Sequence, residues 1–385
     1  MVPYGESRCG WNADAPPCQS GTMSATTPYT YLIIGFGWRA PFFLKPAREF
    51  PDAFRVTGVI TRTAEKGDAA TAAWGVPTWR TLDEALAADM PDFVIVSVSW
   101  DASADIVRDL VARGIHVLCE TPPAPNQHEL ERLWEDVGAS GLVQVAEQYP
   151  LYPGHLARRA VIDSGAIGTV NEAEVSSTHM YHAMGIIRQM LDVGFEAAEI
   201  RAIAATHDLA TPMTHAGWAE DAIPTPAKTI RALIRFEGGK VATYDFTDNQ
   251  WWNPLRQDRI ALRGSHGEIV DLRITQLTGP RTFVTSHLER RHTGIELNLE
   301  GNDLDHISWG SQVVYDNAWQ GARFSDDEVA VSSLLAATGA WARSDAPPPY
   351  PLAQGSQDWA LALGVEAAAE SDETVTVPRQ PWALA

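Results

Sequence analysis

The chain has 385 residues, 45% of them hydrophobic, which is enough for a buried core and about two domains. Its 49 acidic against 29 basic side chains leave a formal net charge of -20. So acidic a surface repels phosphate backbones and anionic lipid, which argues against nucleic acid and membrane partners. The longest apolar runs, such as 93–98, are far too short to cross a bilayer, and no basic stretch followed by an apolar one opens the chain. A cytoplasmic protein is expected. Three cysteines cannot build a disulfide framework, although Cys9 and Cys18 are close enough in sequence to pair under oxidation.

Residues 1–28 are rich in Gly, Pro, Ser and Thr, show no hydrophobic period, and read as a disordered N-terminal extension, with Met23 offering a plainer start. From Tyr29 the pattern changes. Apolar strands are expected at 31–34, 54–60, 93–98, 116–119 and 143–146, with helices at 81–88, 104–113 and 130–137 between them. Near-continuous apolar strands alternating with helices mean a parallel sheet covered on both faces. Residues 29–148 therefore read as one parallel α/β domain. After Tyr149 come helices at 155–164 and 183–191 and longer alternating strands at 169–177, 229–236, 240–245, 259–263, 268–273, 281–285 and 296–299. Helices return at 326–342 and 354–370. Residues 149–385 thus read as a second, α+β domain on an open, largely antiparallel sheet.

Gly35-Phe36-Gly37-Trp38-Arg39-Ala40 follows the first strand and opens a helix, the context that the dinucleotide fingerprint requires. Gly35 permits the tight turn, Gly37 lets the backbone approach a pyrophosphate, and Ala40 keeps helix and strand close. An acidic residue is expected at the end of the second strand, to bond the ribose 2′-hydroxyl. The chain instead reads Thr61-Arg62-Thr63 with Lys66 nearby, so NADP is favoured over NAD.

GFGWRA, WGVPTWRTLDEALA, PDFVIVSV, HVLCETPPA, SGAIGTV and YHAMGIIRQML, in this order, resemble the glucose–fructose oxidoreductase/inositol dehydrogenase/MocA family. The resemblance spans residues 30–200 and continues more faintly through RGSHGEI and DDEVAV. It implies a Rossmann domain followed by an α/β domain whose open sheet often forms subunit contacts, hence a homo-oligomer. It also implies NAD(P) and hydride transfer at a carbon of a sugar or polyol. Ser97, Trp100, Glu120 and Gln148 fall at cofactor-binding positions of the family, alongside Gly35, Gly37, Trp38, Arg39, Ala40, Thr61 and Arg62. The departures are as informative. The family's usual Glu-Lys-Pro reads Glu120-Thr121-Pro122, so Thr121 stands where the lysine would. Of the usual Asp-x-Gly-x-His-x-x-Asp motif only His182 survives, with Thr178, Met180 and Gly185 at the other positions, while the arginine that commonly follows is Arg188.

Oxidising a hydroxyl needs a base for the O–H proton, and imidazole titrates in the right range. His182 is the first candidate, with His179, Tyr181 and Tyr149 as supporting groups and Thr121 as a hydrogen-bond partner for the substrate. His179 and His182 lack the further Cys, Asp or Glu neighbours in sequence that a metal site needs, so no metal is expected. Trp251 and Trp252 lie in a polar–aromatic stretch that suits a sugar ring as well as it suits a sheet edge. Arg188 is a further substrate-binding candidate. Asp326-Asp327-Glu328 reads only as an acidic helix start. Two other functions stay open: a lyase or glycoside hydrolase that uses a retained NAD(P) for transient oxidation, and a non-catalytic nucleotide-binding scaffold.

Overall fold

A computed structural model describes residues 27–384. The extension expected over 1–28 lies almost wholly outside the described residues, and Cys9 and Cys18 lie outside them too. The chain divides into two compact units: 27–153 with 290–306 and 315–355, and 154–289 with 307–314 and 356–384.

The first unit is built on β1 (Tyr29–Ile34), β2 (Phe54–Ile60), β3 (Thr78–Trp79), β4 (Phe93–Val96), β5 (Val117–Cys119) and β6 (Val143–Val145). All neighbours pair in parallel, in the order β3-β2-β1-β4-β5-β6. Helices α1 (Ala40–Glu49), α2 (Ala64–Trp74), α3 (Leu82–Ala88), α4 (Trp100–Ala112) and α5 (Gln127–Val137) connect them. That order places a topological switch between β1 and β4, where such sheets bind ligands beyond their strand ends. The core on one face joins Tyr31, Ile33, Phe54 and Phe93 to Phe43 and Leu44 of α1 and to Leu334 and Leu335. On the other face Leu32, Val94 and Val96 meet Val107, Leu110 and Leu133. Strands wetted on neither face must be apolar throughout, which is why they stood out in the sequence. Thr81 caps α3 in a reciprocal box with Glu84. Helix α4 starts at Trp100 rather than 104, so Trp100 opens that helix.

The second unit carries α6 (Pro153–Asp163), apart from its first residue, β7 (Val170–Ser176), α7 (Met180–Leu191), β8 (Ala198–Leu209) and a small hairpin of β9 (Met213–Thr214) and β10 (Gly217–Trp218). It continues through β11 (Thr225–Phe236), β12 (Val241–Thr247), β13 (Arg259–Gly264), β14 (Gly267–Val270) and β15 (Arg273–Gly279). The chain then forms β16 (Thr282–Thr293), β17 (Asp303–Trp309), β18 (Gln312–Asp316), α8 (Asp326–Ala342), α9 (Leu352–Ser371) and β19 (Val375–Val377). Within the unit one sheet runs β15-β14-β13-β7-β12-β11-β8-β19. Only β7 and β12 pair in parallel; the other neighbours are antiparallel, as the fold class expected. Helix α9 presses on this sheet closely enough that a Cβ at Gly364 would sit 2.4 Å from Val377 and 3.0 Å from Ile200. The opposite face leaves Ile203 and Leu233 exposed.

Three expectations are corrected. The strand expected at 296–299 is a 3-10 turn at Ile295–Leu297, where Glu296 and Leu297 have φ of 56° and 62°, outside any strand conformation. The single strand expected at 268–273 breaks at Asp271, also left-handed at φ 55°, into β14 and β15. Helix α7 begins at Met180, so Tyr181 and His182 lie in its first turn and not ahead of it.

Candidate functional site

In the first unit the C-terminal ends of β1, β2 and β4 converge on the glycine turn. Gly35 has φ 107°, and a Cβ there would lie 2.0 Å from the Ser97 carbonyl oxygen, so only glycine lets β1 turn against β4. Gly37 differs, because a Cβ there would meet nothing within 4 Å. A glycine facing open space at the start of α1 leaves the cradle that a diphosphate fills beside a helix N-terminus. Trp38 and Trp100 are both solvent-exposed, at 73% and 49%. Ala40 is fully buried beneath the turn. The residues present therefore fit a dinucleotide.

The end of β2 is cationic. Thr61 is buried and its hydroxyl donates to the Thr63 carbonyl at 3.0 Å. Arg80, which no cofactor-binding motif marks, donates to the Thr61 carbonyl at 2.9 Å and to the Thr61 hydroxyl. Arg62 is exposed beside it.

Past β5 and β6 lies a charged network. Arg39 donates to Glu120 at 3.1 Å and to Asp327 at 2.9 Å. Asp327 also accepts from Gln148 at 2.7 Å and from the Tyr152 hydroxyl at 2.9 Å. Burial opposes charge on Asp327, but Arg39, Gln148 and Tyr152 outweigh it and hold the carboxyl below its usual range. Burial pushes Glu120 upward against the pull of Arg39 and the Thr121 N–H, which donates to it at 3.0 Å. Burial likewise pushes Glu147 up to about 8, opposed by a hydrogen bond from the Tyr149 N–H at 3.1 Å. Tyr149 stacks on Tyr152 with ring centroids 4.6 Å apart. The three acids that open α8 do more than favour a helix start. Asp326 pairs with Arg290, Asp327 with Arg39 and Glu328 with Lys45.

In the second unit α7 gathers an uncharged cluster. Its entry residue Met180 has φ 41°, and its N–H donates to the Tyr244 hydroxyl at 3.1 Å, which fixes how the helix leaves β7. His179 lies edge-on to Trp251 at 4.8 Å and to His182 at 5.1 Å, and it also meets Tyr181 at 5.0 Å. The Trp251 indole N–H donates to Thr178 at 3.3 Å, and Trp252 packs at 5.4 Å on Trp251. Burial and then the neighbouring His182 push His179 down to about 3, so its ring is neutral. His182 is buried, at 8% exposure.

The structure thus groups Gly35, Gly37, Trp38, Ala40, Ser97 and Trp100 around the switch point. It puts Thr61 and Arg62 at the end of β2, and it ties Arg39, Glu120, Thr121, Gln148 and Tyr149 into the charged network. It joins His179, Tyr181, His182, Trp251 and Trp252 separately. Arg188 stands apart. Only 1% exposed, it donates to Asp358 at 2.5 Å and to the Gly194 carbonyl at 2.9 Å, which gives it the work of fastening α7 to α9. Among the described residues no three His, Cys, Asp or Glu side chains gather as a metal site, and no helix is long and apolar enough to cross a membrane.

Residues 29–147 match the family model described as "Oxidoreductase family, NAD-binding Rossmann fold", GFO_IDH_MocA. An uncharacterized oxidoreductase of Schizosaccharomyces pombe is 29% identical over 151 residues, covering 38% of this chain and 41% of its own length. The scyllo-inositol 2-dehydrogenase (NADP(+)) of Bacillus subtilis is 32% identical over 114 residues, 29% of this chain and 34% of that one. The matches span less than half of these relatives. Among solved structures, an oxidoreductase domain protein from Kribbella flavida aligns over 91% of this chain and 100% of its own with TM-score 0.66 and 18% identity. Levoglucosan dehydrogenase in complex with NADH and levoglucosan aligns over 91% and 100% with TM-score 0.65 and 16% identity. At such identities the likeness speaks for the fold.

Proposed function

The chain belongs to the Gfo/Idh/MocA oxidoreductase family, and on that premise we propose that it is an NADP-dependent oxidoreductase of a sugar, sugar derivative or polyol. The observation that carries this is the pair of glycines at the switch point, one forced by the turn and the other facing open space. Backbone amides at 37–39 hold the diphosphate, and the cationic end of β2 receives the adenosine ribose. When bound, the nicotinamide supplies hydride exchange with the substrate carbon.

The protein's own groups do the rest. His182 takes the hydroxyl proton during oxidation and returns it during reduction, a task suited to imidazole near neutrality. The uncharged ring of His179 keeps a second positive charge away from it. Trp251 and Trp252 offer apolar faces to the C–H side of a sugar ring. Arg39 holds Glu120 in place, and Glu120 in turn accepts from the Thr121 N–H and, at 3.5 Å, from its hydroxyl, which stands where relatives of this family carry an ammonium. The enzyme works in the cytoplasm as a homo-oligomer, a second copy covering the exposed Ile203 and Leu233 side of the large sheet.

The test is calorimetric titration with NADP and NAD, followed by a sugar and polyol screen read at the reduced-nicotinamide band. With a turned-over substrate, His182→Ala should lower kcat by about a hundredfold or more. Unchanged turnover would remove His182 from the chemistry. Turnover of a glycoside with no net change in that band would replace simple oxidation by transient oxidation and elimination.

A further inference from the structure

Resting on the NADP reading, we infer that Arg80 is the specificity-determining residue for a ribose 2′-phosphate. In dinucleotide folds the end of the second strand ordinarily carries a carboxylate that accepts from the ribose hydroxyls. Here that point is Thr61, and its side chain is only 3% exposed. Its hydroxyl proton goes to the Thr63 carbonyl at 3.0 Å. The surface over it is supplied by Arg80, from the segment after β3. The two N–H groups of one terminal nitrogen of Arg80 are shared among the carbonyls of Thr61 at 2.9 Å and Trp79 at 3.1 Å and the Thr61 hydroxyl. The other reaches the Thr78 hydroxyl at 3.3 Å.

The fork packs against α2 at Gly67. A Cβ at Gly67 would sit 2.0 Å from its outer nitrogen, so the absence of a side chain at 67 is what lets the guanidinium settle there. Arg80 is exposed, as are Arg62 and Lys66 on the same loop and helix start. A planar, pre-oriented guanidinium suits a phosphomonoester and has no acceptor to offer a ribose diol. On the same segment Glu84 accepts from the N–H groups of Arg80 and Thr81, and the Arg80 charge is the last of the causes acting on it. Glu65 also lies in the first turn of α2, and the three cations outnumber it.

Calorimetry with adenosine 2′,5′-bisphosphate and with AMP isolates the 2′-phosphate. The wild-type protein should bind the bisphosphate at least about tenfold more tightly. Arg80→Gln should erase about tenfold of that preference and leave AMP within about twofold, with Arg80→Lys between the two. Gly67→Ala keeps the charge but displaces the guanidinium, and should lower the preference in the same direction. If Arg80→Gln weakens both probes equally, or leaves the preference intact, the inference about Arg80 fails while the cofactor reading stands. If the wild-type protein shows no preference, the NADP reading itself falls.

Discussion

The two sheets bury their side chains by different rules, and their polar groups follow suit. In the first unit β4, β5 and β6 are buried at every position, so polar side chains gather past the strand ends. In the second unit β8 starts with alternating buried and exposed residues, and the polar–aromatic cluster sits at the N-terminal end of α7. The first gathering is ionic, with Arg39, Glu120 and Asp327 at its centre. The second is uncharged at its core, with His179, Phe246 and Trp251. A dinucleotide brings negative charge and asks for fixed charges and amides. A polyol brings hydroxyls and C–H surface, and asks for aromatic faces and one proton acceptor.

The largest expected effect tests whether charge in the second unit is structural. Arg188 and Asp358 are 1% and 2% exposed, so Arg188→Leu strands a buried carboxylate. It should cost about 4 kcal/mol in denaturant unfolding. Replacing both partners by leucine should recover most of that loss. A single variant as stable as wild type would mean that the pair does not hold α7 to α9.

Next come the two glycines, which separate folding from binding in the first unit. Gly35→Ala meets both the Ser97 carbonyl and a φ of 107°, and should cost about 3 kcal/mol and abolish dinucleotide binding. Gly37→Ala has room and should change stability by less than about 0.5 kcal/mol. Its methyl points where the diphosphate belongs, so calorimetry should show binding weakened by tenfold or more. Equal stability losses in the two variants would break the distinction.

How far the sequence reveals these regions follows from the same contrast. Apolar runs announce themselves, and β2 was legible to the residue at Phe54–Ile60 even though its Arg55 is exposed. The twelve residues of β8 were not. Its buried positions include Ala198 and Ala202, small residues that favour helices, and its second half carries Thr206, His207 and Asp208 on the surface. The glycine turn was legible because its chemistry is local. The Arg39–Asp327 pair was not, since the partners are 288 positions apart and no periodicity connects them. Asp327 reads as a helix start and is one, through the Ser325–Glu328 capping box, but the same turn also fastens α8 to the cofactor side of the first unit. Arg80 was hidden by its neighbourhood, because it follows a two-residue strand and its target lies nineteen positions back.

The predicted effect that is smallest per unit of its variable, a slope against pH, sharpens the contrast most, because the two regions should answer pH with opposite signs. Glu147 is pushed up to about 8 by burial, far above the usual value of about 4.3. Below about 4.3 it is neutral whether folded or unfolded and costs nothing. As pH rises toward 8 the unfolded chain gives up a proton that the folded one keeps, so stability falls. Buried His179 behaves inversely. Its folded value of about 3 lies below the usual 6.5. Its full contribution is present above 6.5 and drains away as pH falls toward 3, because the unfolded chain takes up a proton that the folded ring refuses. Between about pH 4.3 and 6.5 both operate and oppose each other. Glu147→Gln keeps an acceptor for the Tyr149 N–H and should remove the alkaline decline, and His179→Phe keeps an aromatic ring and should remove the acid one. Each change amounts to about 1 kcal/mol per pH unit within its window. Amide hydrogen exchange reads the units separately, at β6 for the first variant and at α7 for the second. Slopes in β6 that Glu147→Gln leaves untouched would show that this carboxyl ionises in place, and the ionic character of the first region would then extend to Glu147 as well.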